Sequence, residues 1–389
     1  MVPGRSALIQ ILVALTLASA SPGHCSRPNP ATAISLLQQH FSTNAHQQLH
    51  VALAAVVPYG VLANSQWRDG LAVMAYSAQK AARKSEHRTT LLALLPDTID
   101  RKEEEREVLA KIGMKAVFVP IPVPLKEVKT DFAREELKKV LGVFEQLKYY
   151  GAGLTEYDRV VILDGDTMWL SPIDELFNYD GTAKLQGIYD HELDVPDSAF
   201  PPLNTGFLVF TPDKRDFDTI NDVVREGDFR PGTGWEGSKT GWTYGTGSQG
   251  VLSFYYNQVQ PGVKGHSEAL PQKGKDLPGM PFTQQPPTSR FRPLDRSVYN
   301  VIDTKPLNRS LSAHDADASR VKLFHFTGGC VKPWQCSGTS TKICEEMTER
   351  WWAFRAELAA KWGGSAERCE AYGEYKVLPL PEKPESESV

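Results

Sequence analysis

The strongest constraint on the fold is an alternation, in the first half of the chain, of short apolar runs with longer amphipathic stretches. The apolar runs predict four buried strands, "HVALAAVV", "TTLLALL", "KAVFVP" and "RVVILD". The stretches between them predict helices, "WRDGLAVMAYSAQKAARKS", "RKEEEREVLAKIG" and "DFAREELKKVLGVFEQLKYY". Strands that alternate with helices predict an α/β fold in which helices cover both faces of a parallel sheet.

The second half of the chain is less regular. Its apolar runs are shorter, "KLQGIYD", "GFLVFTP" and "KLFHF", and Gly- and Pro-rich loops separate them. Residues 261–295 carry many prolines and little periodicity, which predicts an irregular loop. A last helix is predicted from a stripe of apolar residues at helical spacing, Met347, Trp351, Phe354, Leu358 and Trp362.

The first residues are typical of a secretory signal peptide. A positive charge precedes the short apolar run "ALIQILVALTLASA", which ends in an A-x-A pattern and predicts cleavage after Ala20. An uncleaved signal anchor is the alternative, and no other stretch suggests a membrane span. The expected organisation is a signal peptide (1–20), a polar lead-in (21–45), the main domain (46–340), a helical extension with cysteines (341–374) and a disordered tail (375–389).

Two further features agree with a secretory route, in the ER or Golgi lumen or outside the cell. Asn308 begins an N-glycosylation sequon. Four cysteines lie close together near the C-terminus, Cys330, Cys336, Cys344 and Cys369. They predict two disulfides, for which three pairings are possible. A zinc site is the alternative. Cys25 is left over. The formal net charge of −4 gives no reason to expect a nucleic-acid partner.

Two carboxylates follow the fourth predicted strand, in "DRVVILDGDTMWL". Asp164 and Asp166 are two positions apart, so in an extended chain their side chains face the same way. The simpler interpretation is an Asp-Gly turn of a hairpin. The alternative is a divalent cation site, which suits the carboxyl end of a parallel strand, where such sheets bind ligands.

A second polar segment, "VKLFHFTGGCVKPW", offers partners for such a cation. His325 ends an apolar run, Gly328 follows, and Lys332 lies just beyond. Imidazole and carboxylate together suit Mn²⁺, while Mg²⁺ is possible with oxygen ligands. Glycines that let the backbone approach and a lysine that neutralises oxygens suit a metal-bound diphosphate.

With these segments in order, the chain resembles glycosyltransferase family 8, the glycogenin-like enzymes, over residues 48–335. The matching segments are "LTEYDRVVILDGDTMWLSPIDELF", "LNTGFLVF", "GSQGVLSFYY", "VYN" and "HFTGGCVKPW". The resemblance implies a GT-A fold, which has a single Rossmann-like nucleotide-binding sheet and a smaller acceptor-side portion. It also implies retaining, Mn²⁺-dependent transfer of a hexosyl group from a UDP-sugar to a glycan, glycolipid or protein.

The resemblance also implies a role for individual residues. The expected metal ligands are Asp164, Asp166 and His325. The expected donor-binding residues are Trp67 at the uracil, Lys148 reaching the donor, Asp164 at the ribose, Gly328 and Lys332 at the diphosphate, and Asn204 and Thr205 in the sugar pocket. The expected catalytic residues are Gln249, near the anomeric carbon, and Asp190, near the sugar hydroxyls.

The chain departs from the family at Ser248, where an acidic residue is common. Two alternatives to an active transferase are open, and Ser248 bears on the first of them. One is a catalytically inactive binding or scaffold protein with the same fold. The other is a phosphatase of the haloacid dehalogenase type, which also places Asp-x-Asp after a strand. That motif favours Thr or Val where this chain has Met168, and it leaves the "KPW" segment unexplained.

Overall fold

A computed structural model describes residues 48–138, 142–190, 203–228, 247–258, 290–303, 317–338, 341–369 and 374–382. From Gln48 onward the chain is one compact unit. The predicted signal peptide, lead-in, Cys25 and Asn308 lie outside the described residues, as do residues 261–289 of the predicted loop.

The described strands follow the predicted apolar runs and add short ones. They are β1 (His50–Val56), β2 (Arg88–Pro96), β3 (Lys115–Val119), β4 (Arg159–Leu163), β5 (Thr167–Trp169), β6 (Leu185–Tyr189), β7 (Leu203–Phe210), β8 (Phe291–Pro293), β9 (Val301–Asp303) and β10 (Leu323–Gly328). β8 lies inside the stretch predicted to be irregular and pairs in parallel with β6, so the loop prediction is wrong there.

The described helices are α1 (Ser65–Ala82), α2 (Lys102–Lys111), α3 (Asp131–Leu137), α4 (Tyr150–Gly153), α5 (Asp174–Phe177), α6 (Lys214–Glu226), α7 (Ser248–Gln258) and α8 (Lys342–Trp362). Short 3₁₀ helices span Leu125–Glu127, Gly142–Tyr149 and Pro333–Gln335. No helix among the described residues is both long enough and apolar enough to cross a membrane.

Seven of the described strands form the main sheet, in the order β3-β2-β1-β4-β7-β6-β8. The first four run parallel, as predicted from the strand–helix alternation. β7 then runs antiparallel to both β4 and β6. A second sheet joins β5, β10 and β9. The predicted α/β class is confirmed, with the refinement that the large sheet is mostly rather than wholly parallel.

Both faces of the main sheet are buried, as its apolar strands require. On β1, Val51, Leu53 and Ala55 join the core beneath α1 and α8. The alternate residues, Ala52 and Ala54, join the core on the opposite face. This period of two, apolar on both sides, explains why the strand reads as a continuous apolar run. The second core also contains Ile220 and Val224 of α6, so helices cover both faces, as predicted.

The long helix predicted over residues 131–150 is interrupted. α3 ends at Leu137, and a 3₁₀ helix spans Gly142–Tyr149 before the short α4. Gly142 has a φ of 64°, a left-handed conformation that stops a right-handed helix. The single predicted helix is therefore two shorter helical segments, and Gly142 lies at the start of the second.

The C-terminal extension is tied to the main domain. Disulfides join Cys330 to Cys344 and Cys336 to Cys369, which selects one of the three pairings. The predicted disorder of 375–389 is wrong for its first part, because Leu378 is buried and its backbone amide donates a hydrogen bond of 2.8 Å to Asp69 on α1. Residues 383–389 lie outside the described part of the chain.

Candidate functional site

The Asp-Gly-Asp segment lies where the chain leaves one sheet for the other. Asp164 directly follows β4, and its carbonyl oxygen accepts a 3.2 Å hydrogen bond from the amide of Thr167. β5 then pairs antiparallel with β10, not with β4. A turn therefore exists, but it is not the turn of a hairpin between β4 and β5, because those strands belong to different sheets.

That crossing brings the second polar segment against the two carboxylates. His325 lies on β10 directly opposite Thr167. Its Nε2 atom is 3.1 Å from Oδ1 of Asp166 and 3.9 Å from Oδ2 of Asp164. The ligand atoms of all three residues lie within 4.8 Å of one another. The structure thus brings together the three residues that the sequence predicts as a metal set.

A lysine flanks each carboxylate. Nζ of Lys148 is 2.8 Å from Oδ1 of Asp164. Nζ of Lys332 is 2.7 Å from Oδ2 of Asp166 and donates a 2.9 Å hydrogen bond to the carbonyl of Phe326. Each of the two predicted donor-binding lysines therefore pairs with a different carboxylate.

Burial and charge act in opposite directions on these groups. Burial alone would lower the pKa of Lys148, but the carboxylates of Asp164 and Glu145 outweigh it and raise the pKa. Lys148 therefore carries a positive charge at neutral pH.

The two aspartates differ. Burial raises the pKa of Asp164, and the carboxylate of Asp166 adds to this effect against the attraction of Lys148. Burial also acts to raise the pKa of Asp166, but His325 and Lys332 outweigh it and hold the pKa below its usual value. Close carboxylates whose pKa values are pushed apart are frequent at functional sites.

A cavity of about 490 Å³ opens beside this cluster. Its floor includes Asp164, Asp166 and Lys148, and its walls come from the loop after β1 and the start of α1. Tyr59, Phe144 and other apolar residues line much of it, and the rings of these two lie 5.4 Å apart. A cavity of this size with a few convergent charges suits a small-molecule ligand.

Trp67 lies at the rim of this cavity. It is 43% exposed, its ring is 5.3 Å from that of Trp334, and Nζ of Lys332 lies 5.4 Å from its ring centre. Asn64 sets its position, since the Asn64 side chain caps α1 by accepting hydrogen bonds from the amides of Gln66 and Trp67.

Asn204 of the predicted sugar pocket and the two predicted catalytic residues form a hydrogen-bonded chain. Oδ2 of Asp190 accepts from Nδ2 of Asn204 at 3.0 Å and from Nε2 of Gln249 at 3.1 Å. Oδ1 of Asn204 accepts a 2.8 Å hydrogen bond from Nδ2 of Asn300, whose φ is 50°. Asp190, Asn204 and Gln249 are thus brought together.

Thr205 has a different neighbourhood. Its hydroxyl lies 3.3 Å from Nζ of Lys148 and 3.2 Å from the hydroxyl of Ser248. The hydroxyl of Ser248 in turn donates a hydrogen bond to the carboxylate of Glu145. Thr205 therefore contacts the buried lysine, while its neighbour Asn204 faces Asp190.

Gly328 is placed by backbone geometry. Its φ is 66°, and a β-carbon there would lie 2.7 Å from the carbonyl oxygen of Asp303. The left-handed conformation and the close approach both require glycine. The amide of the next residue, Gly329, donates a 2.7 Å hydrogen bond to the same carbonyl.

Three residues of the site have no role in the sequence prediction, although Asn300 belongs to the matching segment "VYN". Glu145 and Tyr59 line the cavity, and Asn300 holds Asn204. Glu145 precedes Lys148 by three residues, a helical spacing that could have indicated it. Tyr59 follows β1 in "VVPYG", at the edge of the sheet where ligands bind.

A second cluster of possible ligands is already occupied by a covalent bond. Asp303 lies near Cys330 and Cys344, and their ligand atoms lie within 4.8 Å. Because the two sulfur atoms form a disulfide, they are not available as thiolates. The structure therefore shows these two cysteines as a disulfide and not as zinc ligands.

No protein-family model matches the chain. No curated protein matches it either. Among solved structures, it is similar to the galactosyltransferase LgtC in complex with donor and acceptor sugar analogues, at 14% identity and a TM-score of 0.44, over 79% of this chain and 95% of that one.

Two further similarities are of the same order. Mouse xyloside xylosyltransferase 1 in its apo form is 14% identical with a TM-score of 0.43, over 73% of this chain and 99% of that one. The glycosyltransferase GlyE of Streptococcus pneumoniae TIGR4 is 13% identical with a TM-score of 0.41, over 83% and 66%. At such distances the activity has to be argued from the site itself.

Proposed function

We propose that the chain is a retaining glycosyltransferase that moves a hexosyl group from a UDP-sugar to an acceptor, with Mn²⁺ as its cation. The observation that carries the proposal is the cluster of Asp164, Asp166 and His325, which two lysines flank and whose two carboxylates line the cavity. A scaffold protein has no physical need for such a concentration of partly buried charge, because burying charges costs free energy.

The residues fit a divalent cation. Two carboxylates and one imidazole nitrogen lie within 4.8 Å of one another, a mixed oxygen and nitrogen set that Mn²⁺ accepts readily and Mg²⁺ less so. Asp164, Asp166 and His325 would hold the ion. When bound, a divalent cation neutralises the diphosphate of the donor and the charge that develops on it.

The chain's own residues would do the remaining work. Lys332 and Lys148 would stabilise negative charge on the departing UDP, and the low-dielectric surroundings strengthen that effect. The apolar cavity would hold the uracil against Tyr59 or Trp67, which offer aromatic surface. Asp190 would accept hydrogen bonds from the sugar hydroxyls, and the amide nitrogen of Asn204 would donate hydrogen bonds to them.

Gln249 is proposed at the anomeric centre. Its amide nitrogen donates to Asp190, which leaves the amide oxygen as the atom to face a carbon that becomes cationic. The bond from that carbon to the phosphate oxygen breaks, a bond to the acceptor oxygen forms, and the acceptor's proton passes to the leaving diphosphate. An amide suits this course better than the carboxylate nucleophile of retaining hydrolases.

The proposed location is the secretory pathway. Two disulfides favour an oxidising compartment, and the predicted signal peptide and sequon agree with it. The proposed acceptor is a glycan, a glycolipid or a protein.

The deciding experiment is a calorimetric titration of UDP into the mature chain with and without Mn²⁺, followed by hydrolysis assays over a panel of UDP-sugars. Binding that requires Mn²⁺, with hydrolysis of at least one sugar nucleotide, supports the transferase. Absence of UDP binding under both conditions refutes it and favours the scaffold function.

A further inference from the structure

Glu145 lines the cavity, but none of the roles proposed above is assigned to it. It lies in the 3₁₀ helix Gly142–Tyr149, its side chain is only 12% exposed, and it lines the cavity. Its Oε1 atom is 3.4 Å from Nζ of Lys148, and its Oε2 atom accepts a hydrogen bond from Ser248.

These contacts place Glu145 between the two halves of the site. On one side, Lys148 connects it to Asp164 of the metal cluster at 2.8 Å. On the other side, Ser248 is the neighbour of Gln249, whose amide donates to Asp190. Glu145 therefore contacts both the lysine that pairs with the metal cluster and the segment that carries Gln249.

In a sugar nucleotide, the sugar is bonded directly to the terminal phosphate. We propose, resting on the function proposed above, that a sugar extending from the metal cluster towards Gln249 and Asp190 lies beside Glu145. Glu145 is then a specificity-determining residue that makes the site select neutral sugar donors over uronic acid donors.

Electrostatics provides the reason. A neutral sugar presents hydroxyl groups, which donate hydrogen bonds to the carboxylates of Glu145 and Asp190. A uronic acid presents a carboxylate, which both of them repel. In a partly buried site such repulsion is screened only weakly.

The nearby cations do not offset this repulsion. Among the described cavity-lining residues, the cations are Lys148 and Arg68. Lys148 is shared between two carboxylates. Arg68 donates a 2.9 Å hydrogen bond to the carbonyl of Leu378 and lies 3.8 Å from Asp69. Each is therefore already engaged within the protein.

The test compares donors that differ only in the group at carbon 6, UDP-glucose with UDP-glucuronic acid and UDP-galactose with UDP-galacturonic acid. The ratio of kcat/KM for Mn²⁺-dependent hydrolysis is measured within each pair. The proteins are the wild type, Glu145→Gln, Glu145→Asp, and the control Glu135→Gln. Glu135 is an exposed α3 carboxylate that pairs with Lys138.

The wild type is expected to prefer the neutral member of its better pair by at least about tenfold. Glu145→Gln should reduce that ratio by about fivefold or more, since it removes the charge and keeps the shape. Glu145→Asp and Glu135→Gln should keep the ratio. All four proteins should give native circular dichroism spectra and should still bind UDP in the presence of Mn²⁺, which separates selectivity from damage to the fold.

A wild-type ratio near one, or in favour of the uronic acid, overturns the inference even where Glu145→Gln fails to fold. A strong preference that Glu145→Gln leaves unchanged overturns the role of this residue alone. Hydrolysis of none of the sugar nucleotides overturns the proposed function, and the inference with it.

Discussion

The imidazole of His325 packs directly over the backbone of Gly206, in the middle of β7. A β-carbon at Gly206 would lie 2.2 Å from Cε1 and 2.5 Å from Nδ1 of the ring. Real β-carbons do not approach so closely, so the absence of a side chain at Gly206 is what lets His325 reach Asp166. One glycine on the main sheet thus sets the position of a proposed ligand on the other sheet.

Gly206→Ala should therefore weaken cation binding. We expect the affinity for Mn²⁺ in the presence of UDP to fall by about 10- to 100-fold, the range seen when the support of a metal ligand is disturbed. Calorimetric titration of Mn²⁺ measures it. Gly338→Ala is the matched control, because a β-carbon at Gly338 meets nothing within 4 Å. Equal affinities in the two variants would contradict the packing argument.

Asp166→Ala should abolish Mn²⁺-dependent activity and leave the fold intact. Asp166 contacts both His325 and Lys332, so its loss removes a ligand and releases the lysine. The expected fall in kcat is at least about 100-fold. Turnover of a UDP-sugar at the wild-type rate, in a variant whose circular dichroism spectrum is native, would exclude Asp166 as a metal ligand.

Sequence periodicity predicted the parts of the fold that depend on local pattern. The apolar run of β1 and the apolar stripe that contains Trp351 are buried, and the order of their apolar residues predicts this burial. The antiparallel insertion of β7 between β4 and β6 depends on pairing between distant segments, which no local pattern specifies. The interruption of the predicted long helix at Gly142 is also not specified by the apolar spacing, because it depends on the left-handed backbone conformation of one residue.

The candidate site shows the same division. Four of its residues belong to short motifs whose residue types already indicate metal or phosphate binding, and they come together in the structure: Asp164, Asp166, His325 and Lys332. Glu145 belongs to no motif. Its place in the cavity follows from the fold of the interrupted helix against α7, and its contact with Ser248 is seen only in the structure.

Lys148→Met should destabilise the protein. Lys148 is buried and contacts Asp164 and Glu145, so its loss leaves two carboxylates facing each other without a cation. The free energy of unfolding should fall by about 3–5 kcal/mol, as for other buried pairs that lose one partner. Urea unfolding without divalent cations measures it. Lys138→Met, which removes an exposed lysine paired with Glu135, should cost less than about 1 kcal/mol.

The disulfide between Cys336 and Cys369 should stabilise both the fold and the site. It closes a loop with a sequence separation of 33, and loop-closure entropy predicts a contribution of about 4 kcal/mol. The Cys336→Ser/Cys369→Ser double variant should lose about that amount in denaturant unfolding. Its affinity for UDP should also fall, since Lys332 lies in the segment that the bridge anchors. Unfolding at the wild-type midpoint would contradict the first expectation.

A pH dependence is expected at Asp69, which anchors the C-terminal segment. Its Oδ2 atom accepts hydrogen bonds from the hydroxyl of Tyr375 at 2.9 Å and the amide of Leu378 at 2.8 Å. Burial nevertheless outweighs these bonds and raises the pKa of Asp69. A carboxyl whose pKa is raised by folding stabilises the fold fully below its unfolded pKa, and this contribution is lost as the pH rises through the folded pKa.

Asp69→Asn removes this titration and keeps an oxygen acceptor. The free energy of unfolding of the variant, relative to wild type, should therefore increase from pH 4 to pH 7, because only the wild type loses stability over that interval through Asp69. Urea unfolding of both proteins at the two pH values measures the difference. A relative stability that decreases with pH would show that the ionised carboxylate is favoured, and that Arg355, 3.8 Å away, outweighs burial.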